Sequence, residues 1–157
     1  MNKEIVLDRL REKLEKIKAR DIMTASVITT MEDVSLSEAA ISMLKSKISG
    51  MPVVNSSGDV IGVVTITDLF IAMAQIKYET GYQNEQGHYI EPSVGAVMTG
   101  GVITVSEDED LSNIADLMIN RGIHTLPITR DGRLIGVVGR RDVIRYFYSA
   151  LAEVVNT

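Results

Sequence analysis

Apolar residues recur at Leu7, Leu10, Leu14 and Ile17, with charged residues between them. This 3-4-3 spacing predicts a helix over residues 3–19. At under three heptads it cannot sustain a coiled coil alone, so it is expected to pack on the body of the protein or on a partner subunit. A second apolar face runs through Leu36, Ala39, Ala40, Met43 and Leu44 and predicts a helix over residues 35–46. Ser35 and Glu38 have the spacing of a capping box that opens it. The same face returns at Leu111, Ile114, Ala115, Met118 and Ile119, with Asp110 placed as an N-cap.

Each helix is followed by two apolar runs of strand length, at 51–54 and 60–65, then at 126–129 and 134–139. Asn55-Ser56-Ser57-Gly58-Asp59 joins the first pair; Arg130-Asp131-Gly132-Arg133 joins the second. Asp-Gly suits a tight hairpin because glycine accepts positive φ. A further helix is expected from about Thr67 and from about Arg141. Val27-Ile28-Thr29 and Val102-Ile103-Thr104 precede each unit as a first strand, giving strand, helix, strand, strand, helix twice.

The chain is thus a tandem repeat. Met23-Thr24 recurs as Met98-Thr99, about 75 residues later. Ile61-Gly62-Val63-Val64 recurs as Ile135-Gly136-Val137-Val138, about 74 residues later, so the second copy lacks one loop residue. The expected division is an N-terminal helix at 1–19, repeat 1 at 20–77, an inter-repeat loop at 78–93 and repeat 2 at 94–157. Two copies of one supersecondary unit generally pack together, because neither buries its apolar face alone. The 78–93 segment is polar and aperiodic; Tyr78, Tyr82 and Tyr89 make it either an exposed linker or a flap that meets a partner.

Composition narrows the function. The 157 residues contain no cysteine, which excludes disulfides and thiolate zinc sites. No apolar run approaches the roughly 20 residues of a membrane helix, and no signal-peptide pattern opens the chain, so a cytoplasmic protein is expected. A net charge of −5 disfavours non-specific nucleic-acid binding. Within that acidic average, Arg121, Arg130, Arg133, Arg140, Arg141 and Arg145 cluster in the second copy, whereas the matching stretch of the first carries only Lys47. These are either solvated surface arginines or a local anion site. The two histidines, His88 and His124, are far apart and show no metal-ligand spacing. The acidic run Glu107 to Asp110 reads as a helix N-terminus.

The strongest motif is Gly62-Val63-Val64-Thr65-Ile66-Thr67-Asp68, a strand running into a helix. Either Thr67 or Asp68 simply caps that helix, or Asp68 presents a carboxylate able to accept two hydrogen bonds from a ribose diol. The carboxylate recurs as Asp142 after Gly136-Val137-Val138. Gly139 stands where the first copy has Thr65, and Arg140 and Arg141 follow it.

Taken in order, Asp21-Ile22-Met23-Thr24, Gly50-Met51-Pro52-Val53-Val54 and Gly62 to Asp68 resemble a CBS domain. Met98-Thr99, His124-Thr125-Leu126-Pro127-Ile128 and Gly136 to Asp142 repeat the pattern. The resemblance is to a tandem CBS pair, the module named after cystathionine β-synthase and found in the γ subunit of AMP-activated protein kinase. It covers residues 20–70 and 94–148.

The resemblance implies an α+β fold: two β-α-β-β-α repeats packed through their sheets about a pseudo-twofold, with an N-terminal helix added. It implies clefts for an adenosyl ligand such as AMP, ADP or ATP, with no required cofactor, and a homodimer. Asp68, with Thr65, and Asp142 would hold riboses. Met23, Thr24, Val27, Met98, Thr99 and Val102 would line the adenine pockets. Family members often carry His-Arg ahead of the Leu-Pro-Val run; here His124-Thr125 and Ser49-Gly50 occupy those places. His124, Arg140 and Arg141 are the remaining candidates for phosphate. The implied role is a non-catalytic, ligand-sensing regulatory module acting on a separate protein. The alternative is a ligand-free dimerisation or interaction scaffold.

Overall fold

The computed structural model describes residues 2–78 and 81–157. Its chain divides into two compact units that do not follow chain order: one runs to Val27 and resumes over Ile103–Thr157, the other is Ile28–Val102. The architecture is α+β, as expected.

The first unit begins with α1 (Lys3–Lys16), started by Asn2, whose side chain accepts the Glu4 N–H at 3.0 Å. The predicted helix over 3–19 stops early. Ile17 and Lys18 are extended, and their neighbourhood trades helical bonds for bonds to the second repeat: Leu111 donates to the Ile17 carbonyl at 2.8 Å and Ala19 to that of Glu109 at 2.8 Å. A short α2 (Ala19–Ile22) follows. Leu10, Leu14, Ala19 and Ile22 are all buried, each stabilising the unit by about 1.5–3 kcal/mol if it is a large aliphatic.

In the other unit α3 (Leu36–Ser46) starts at Ser35, as predicted. The Ser35 hydroxyl accepts the Glu38 N–H at 3.2 Å, but among the described residues the reciprocal Glu38 bond of a capping box is not made. The hairpin β1 (Gly50–Val54) and β2 (Val60–Thr65) follows. Asn55 closes its turn by accepting the Ser57 and Asp59 N–H groups, while Gly58 takes φ +84°. Then come α4 (Ile66–Lys77) and the short α5 (Val94–Val97). The core joins Leu36, Ala39 and Met43 of α3 to Met51, Val53, Val64, Ala72 and Val94.

The expected 78–93 loop is partly visible, since 79–80 lie outside the described residues. Asn84 organises its tip, accepting N–H bonds from Gln86 and His88 at 2.9 Å, and Leu36 ties its end by donating to Pro92 at 2.9 Å.

Returning to the first unit, β3 (Val105–Ser106) pairs in parallel with β4 (Thr125–Arg130), which pairs antiparallel with β5 (Arg133–Gly139). Between β3 and β4 lies α6 (Leu111–Arg121), capped by Asp110, whose carboxylate accepts the Asn113 N–H at 2.8 Å. After β5 comes α7 (Arg140–Val155). Asp131 and Gly132 both adopt positive φ, as the tight Asp-Gly turn requires.

The expected first strands at 27–29 and 102–104 are the clearest departure. Each is reduced and displaced: Thr30 bridges Val53, and β3 holds only two residues. The chain leaves one unit and enters the other at these points, so a single ladder cannot continue through them. Thr24 and Thr99 pair before the crossing; Thr30 and Val105 pair after it.

Candidate functional site

Each unit carries the same junction. In β2 and β5 the strand ends directly on a helix, and the residue at the joint is Thr65 or Gly139. Three residues on, Asp68 and Asp142 turn back. Thr65 N–H donates to Asp68 Oδ2 at 2.8 Å, and Gly139 N–H donates to Asp142 Oδ2 at 2.8 Å. The N-cap of α4 is thus Thr65, not Thr67 or Asp68 as the motif alone suggested. The Thr65 hydroxyl donates to the same Asp68 oxygen at 3.1 Å, and the Asp68 N–H reaches Thr65 Oγ1 at 3.4 Å. One oxygen of each aspartate is spent on the cap. The other, Oδ1, accepts no hydrogen bond among the described residues. Both aspartates are half-buried. The arrangement fixes a carboxylate in place and leaves half its acceptor capacity unused among the described residues.

A lead-in segment runs along the outer edge of each hairpin. Thr24 exchanges both backbone bonds with Val137, at 2.9 and 3.0 Å. Thr99 does the same with Val63, at 3.0 and 3.1 Å. Proline explains the register. Pro52 lies opposite Val63, and Pro127 opposite Val137, where an antiparallel pair makes no bonds between its two members. The missing proline N–H costs the hairpin nothing there, and Val63 and Val137 turn their own groups outward to the lead-in.

Glycine explains how the segment fits. A Cβ on Gly62 would sit 2.6 Å from Met98 Sδ and 3.0 Å from the Thr99 carbonyl. One on Gly136 would collide with Met23 Sδ and lie 2.8 Å from its Cγ. Sequence reasoning did not assign Gly62, Gly136, Val63 and Val137 a part in the site. Their signal was a glycine inside a strand at the same offset in both copies, which marks a close approach.

The candidate residues therefore sort by unit. Met23, Thr24, Val27, His124, Arg140, Arg141 and Asp142 lie in one; Thr65, Asp68, Met98, Thr99 and Val102 lie in the other. Met23-Thr24 of the first copy is brought to the junction that holds Asp142, and Met98-Thr99 to the junction that holds Asp68.

The surroundings of the two aspartates differ in charge. Arg140 and Arg141 are exposed at the start of α7, and Arg140 Nε donates to the Ile123 carbonyl at 3.2 Å. His124 is exposed beside them. Arg130, by contrast, is not a free cation. It makes a two-pronged contact with Glu107, Nε to Oε1 at 2.9 Å and Nη2 to Oε2 at 2.6 Å. Those hydrogen bonds hold the Glu107 carboxyl below the usual carboxylate range and raise the guanidinium further. Among the described residues no cluster of acidic and imidazole side chains is arranged to hold a metal ion. None of the described helices is long and apolar enough to cross a membrane.

Two stretches, residues 19–75 and 94–149, match the CBS domain. The chain belongs to the CBS-domain family. Among solved structures it is similar to the CBS domain pair of protein MJ0100 in complex with 5'-methylthioadenosine and S-adenosyl-L-methionine. That likeness has a TM-score of 0.72 and 29% identity over 84% of this chain and 96% of that one. Among curated proteins it is 30% identical, over 82% of its length, to the L-aspartate semialdehyde sulfurtransferase of Methanocaldococcus jannaschii. It is 28% identical, over 80% of its length, to the uncharacterized protein MJ1225 of the same organism. The chain spans 23% and 41% of the lengths of those two relatives. The fold of this CBS chain is that of a CBS domain pair.

Proposed function

We propose that this CBS pair is a regulatory module that senses an adenosyl compound and carries out no catalysis itself. The observation that carries the reading is the twin half-engaged aspartate. Asp68 and Asp142 occupy the same joint in each unit, are fixed by a backbone N–H, and keep one oxygen unbonded among the described residues. A ribose diol offers the donors that such an oxygen accepts. The MJ0100 pair, 29% identical, was solved with two adenosyl compounds, which supports that class of ligand. AMP, ADP, ATP and S-adenosylmethionine all belong to it.

The energetics are sufficient. Sensing a metabolite at millimolar to micromolar levels needs about −4 to −8 kcal/mol. A hydrogen bond to a charged group supplies about 1.5–3 kcal/mol, and burial of adenine supplies the rest. Binding signals only if the ligand favours one state of the protein over another, so the regulated protein must read that difference.

The test is calorimetry with AMP, ATP, S-adenosylmethionine and 5'-methylthioadenosine, on the wild type and on Asp68→Ala and Asp142→Ala. At least one ligand is expected to bind, and the matching alanine variant to lose about tenfold in affinity or more. A wild type that binds none of the four, or variants with unchanged affinity, would overturn the reading.

A second reading, an interaction scaffold, is favoured by exposed apolar side chains on the repeat helices. Leu44 of α3 is 71% exposed, Phe70 of α4 62% and Ile119 of α6 76%. A groove of about 470 Å³ between α6 and α7 is lined by Met118, Ile119, Arg140, Val143, Ile144 and Phe147 among others. Grouped apolar surface of this kind marks a contact site, and a homodimer is the expected use. Sedimentation velocity should give a dimer that Ile119→Asp weakens. A monomer across the micromolar range would remove this reading.

A further inference from the structure

Each lead-in is the far end of a longer brace. In the unit that holds Asp68, the Pro92 carbonyl accepts the Leu36 N–H at 2.9 Å. Val94 donates to the Val34 carbonyl at 2.8 Å, and Gly95 to that of Glu32 at 2.8 Å. The single turn of α5 is closed by the Met98 N–H on the Val94 carbonyl at 2.8 Å, and Thr99 then pairs with Val63. Val94 is fully buried. A Cβ on Gly95 would lie 3.0 Å from the Glu32 Cβ and 3.1 Å from the Glu32 carbonyl oxygen. Residues 92–99 therefore have little room to slide, and a shift at the α3 end is passed along this bonded run to Met98 and Thr99.

The other unit makes the same bonds 75 residues away in register. Leu111 donates to Ile17, Ala19 to Glu109 and Arg20 to Glu107, and the Met23 N–H closes α2 on the Ala19 carbonyl. The backbone of the brace is common to both copies, but the side chains that fasten it are not. Arg20 pairs with Asp108 in one copy. In the other, Gly95 and Asp33 take those two places, and the fastening is Glu91. Its Oε1 accepts the Ser37 N–H at 2.9 Å, next to the Leu36–Pro92 bond, and so satisfies one of the orphan donors at the start of α3. The Ser37 side chain, and after it the Ser37 N–H, hold the Glu91 carboxyl below the usual carboxylate range. Lys16 stands where Glu91 does and has no acceptor to offer.

We infer that Glu91 is a positioning residue for the Asp68 joint. Its carboxylate fixes the start of the brace on α3, the brace seats Met98 and Thr99 against β2, and the affinity of that joint for its ligand depends on the seat. The Asp142 joint, braced through Arg20, does not depend on Glu91. The inference rests on the adenosyl reading above and adds the place from which one of the two sites is tuned. By linkage, a ligand that prefers the seated lead-in strengthens the Glu91–Ser37 contact by the same factor. Occupancy of the joint is then reported at the polar segment that ends on Glu91.

The experiment titrates AMP and 5'-methylthioadenosine into the full chain carrying Asp142→Ala, where the Asp68 joint alone is intact, and into the chain carrying Asp68→Ala. Each is prepared with and without Glu91→Ala. Glu91 is exposed, so thermal melts should confirm that the variants fold. At the Asp68 joint Glu91→Ala is expected to weaken binding about threefold to tenfold. At the Asp142 joint affinity should stay within about twofold. Glu91→Gln keeps an acceptor for the Ser37 N–H and should restore most of the loss. Amide hydrogen exchange without ligand gives a second readout: Glu91→Ala should speed exchange at Thr99 and leave Thr24 unchanged. Unchanged exchange at Thr99, an equal loss at both joints, or no loss at the Asp68 joint would overturn the inference and leave the adenosyl reading standing. If neither ligand binds the unsubstituted chain, both fall together.

Discussion

Met23 lies against Gly136 so closely that a Cβ on the glycine would overlap its thioether. Met98 meets Gly62 in the same way in the other unit. The contact holds each lead-in to the hairpin edge, at Thr24–Val137 and Thr99–Val63, two residues short of the joint that carries the aspartate. Along an extended strand that is about 7 Å. The seat of the methionine and the position of the carboxylate are therefore set by the same strand.

Gly136→Ala is expected to force Met23 off its seat. Overpacking of this kind costs about 1–3 kcal/mol. Adding Met23→Ala should recover part of that loss, because the two side chains compete for one space and their effects cannot add. Urea denaturation of the two single variants and the double variant checks this. Strict additivity would rule the contact out as the cause.

Thr65 and Gly139 do the same job with different chemistry. Thr65 caps α4 with its hydroxyl as well as donating its N–H to Asp68, whereas Gly139 offers only the N–H. Thr65→Ala should cost about 1 kcal/mol and Thr65→Gly only a few tenths, since glycine is itself tolerated at an N-cap. Thermal melting of both variants distinguishes them. A Thr65→Ala variant that melts with the wild type would show that the hydroxyl contributes nothing to the cap.

The Glu107–Arg130 pair predicts a pH dependence. Arg130 lowers the Glu107 pKa in the folded protein. The pair's contribution is therefore complete above the unfolded carboxylate range and disappears as pH falls through the lowered folded value. Glu107→Gln should be less stable than wild type at neutral pH, with the gap closing in acid. Denaturation midpoints at pH 7 and pH 3 check the sign. A gap that widens in acid would contradict it. Arg130 is largely in water, although the Glu107 side chain is mostly covered, so the effect is small.

The hairpins and the four repeat helices were legible because their signals are local. Period and turn chemistry place β1, β2, β4 and β5 within about a residue, and Asp110 and Ser35 cap the helices expected of them. The N-terminal helix was misjudged at Ile17 because its periodicity continues past the point where Leu111 claims the Ile17 carbonyl. No local signal reports a bond to a residue so distant in sequence. The strands at 27–29 and 102–104 failed for a related reason: apolar β-branched residues there cross from one unit to the other instead of joining a ladder. The aspartates were visible as a repeated acid after a strand. The grouping of Met23 with Asp142 was not, because a repeat aligns equivalent residues without saying which copy they touch.

The exchange of lead-ins sets a limit on how this chain can be cut. A fragment stopping after α4 would carry Met23-Thr24 with no Val137 to bind, and its own Val63 would have no Thr99. The complementary fragment, starting at 78, would carry Thr99 with no Val63 to bind and have a bare outer edge on β5. Each severed piece would expose unpaired backbone ready to recruit a stranger's strand. Duplication here has made two halves that are sequence repeats but not independent proteins.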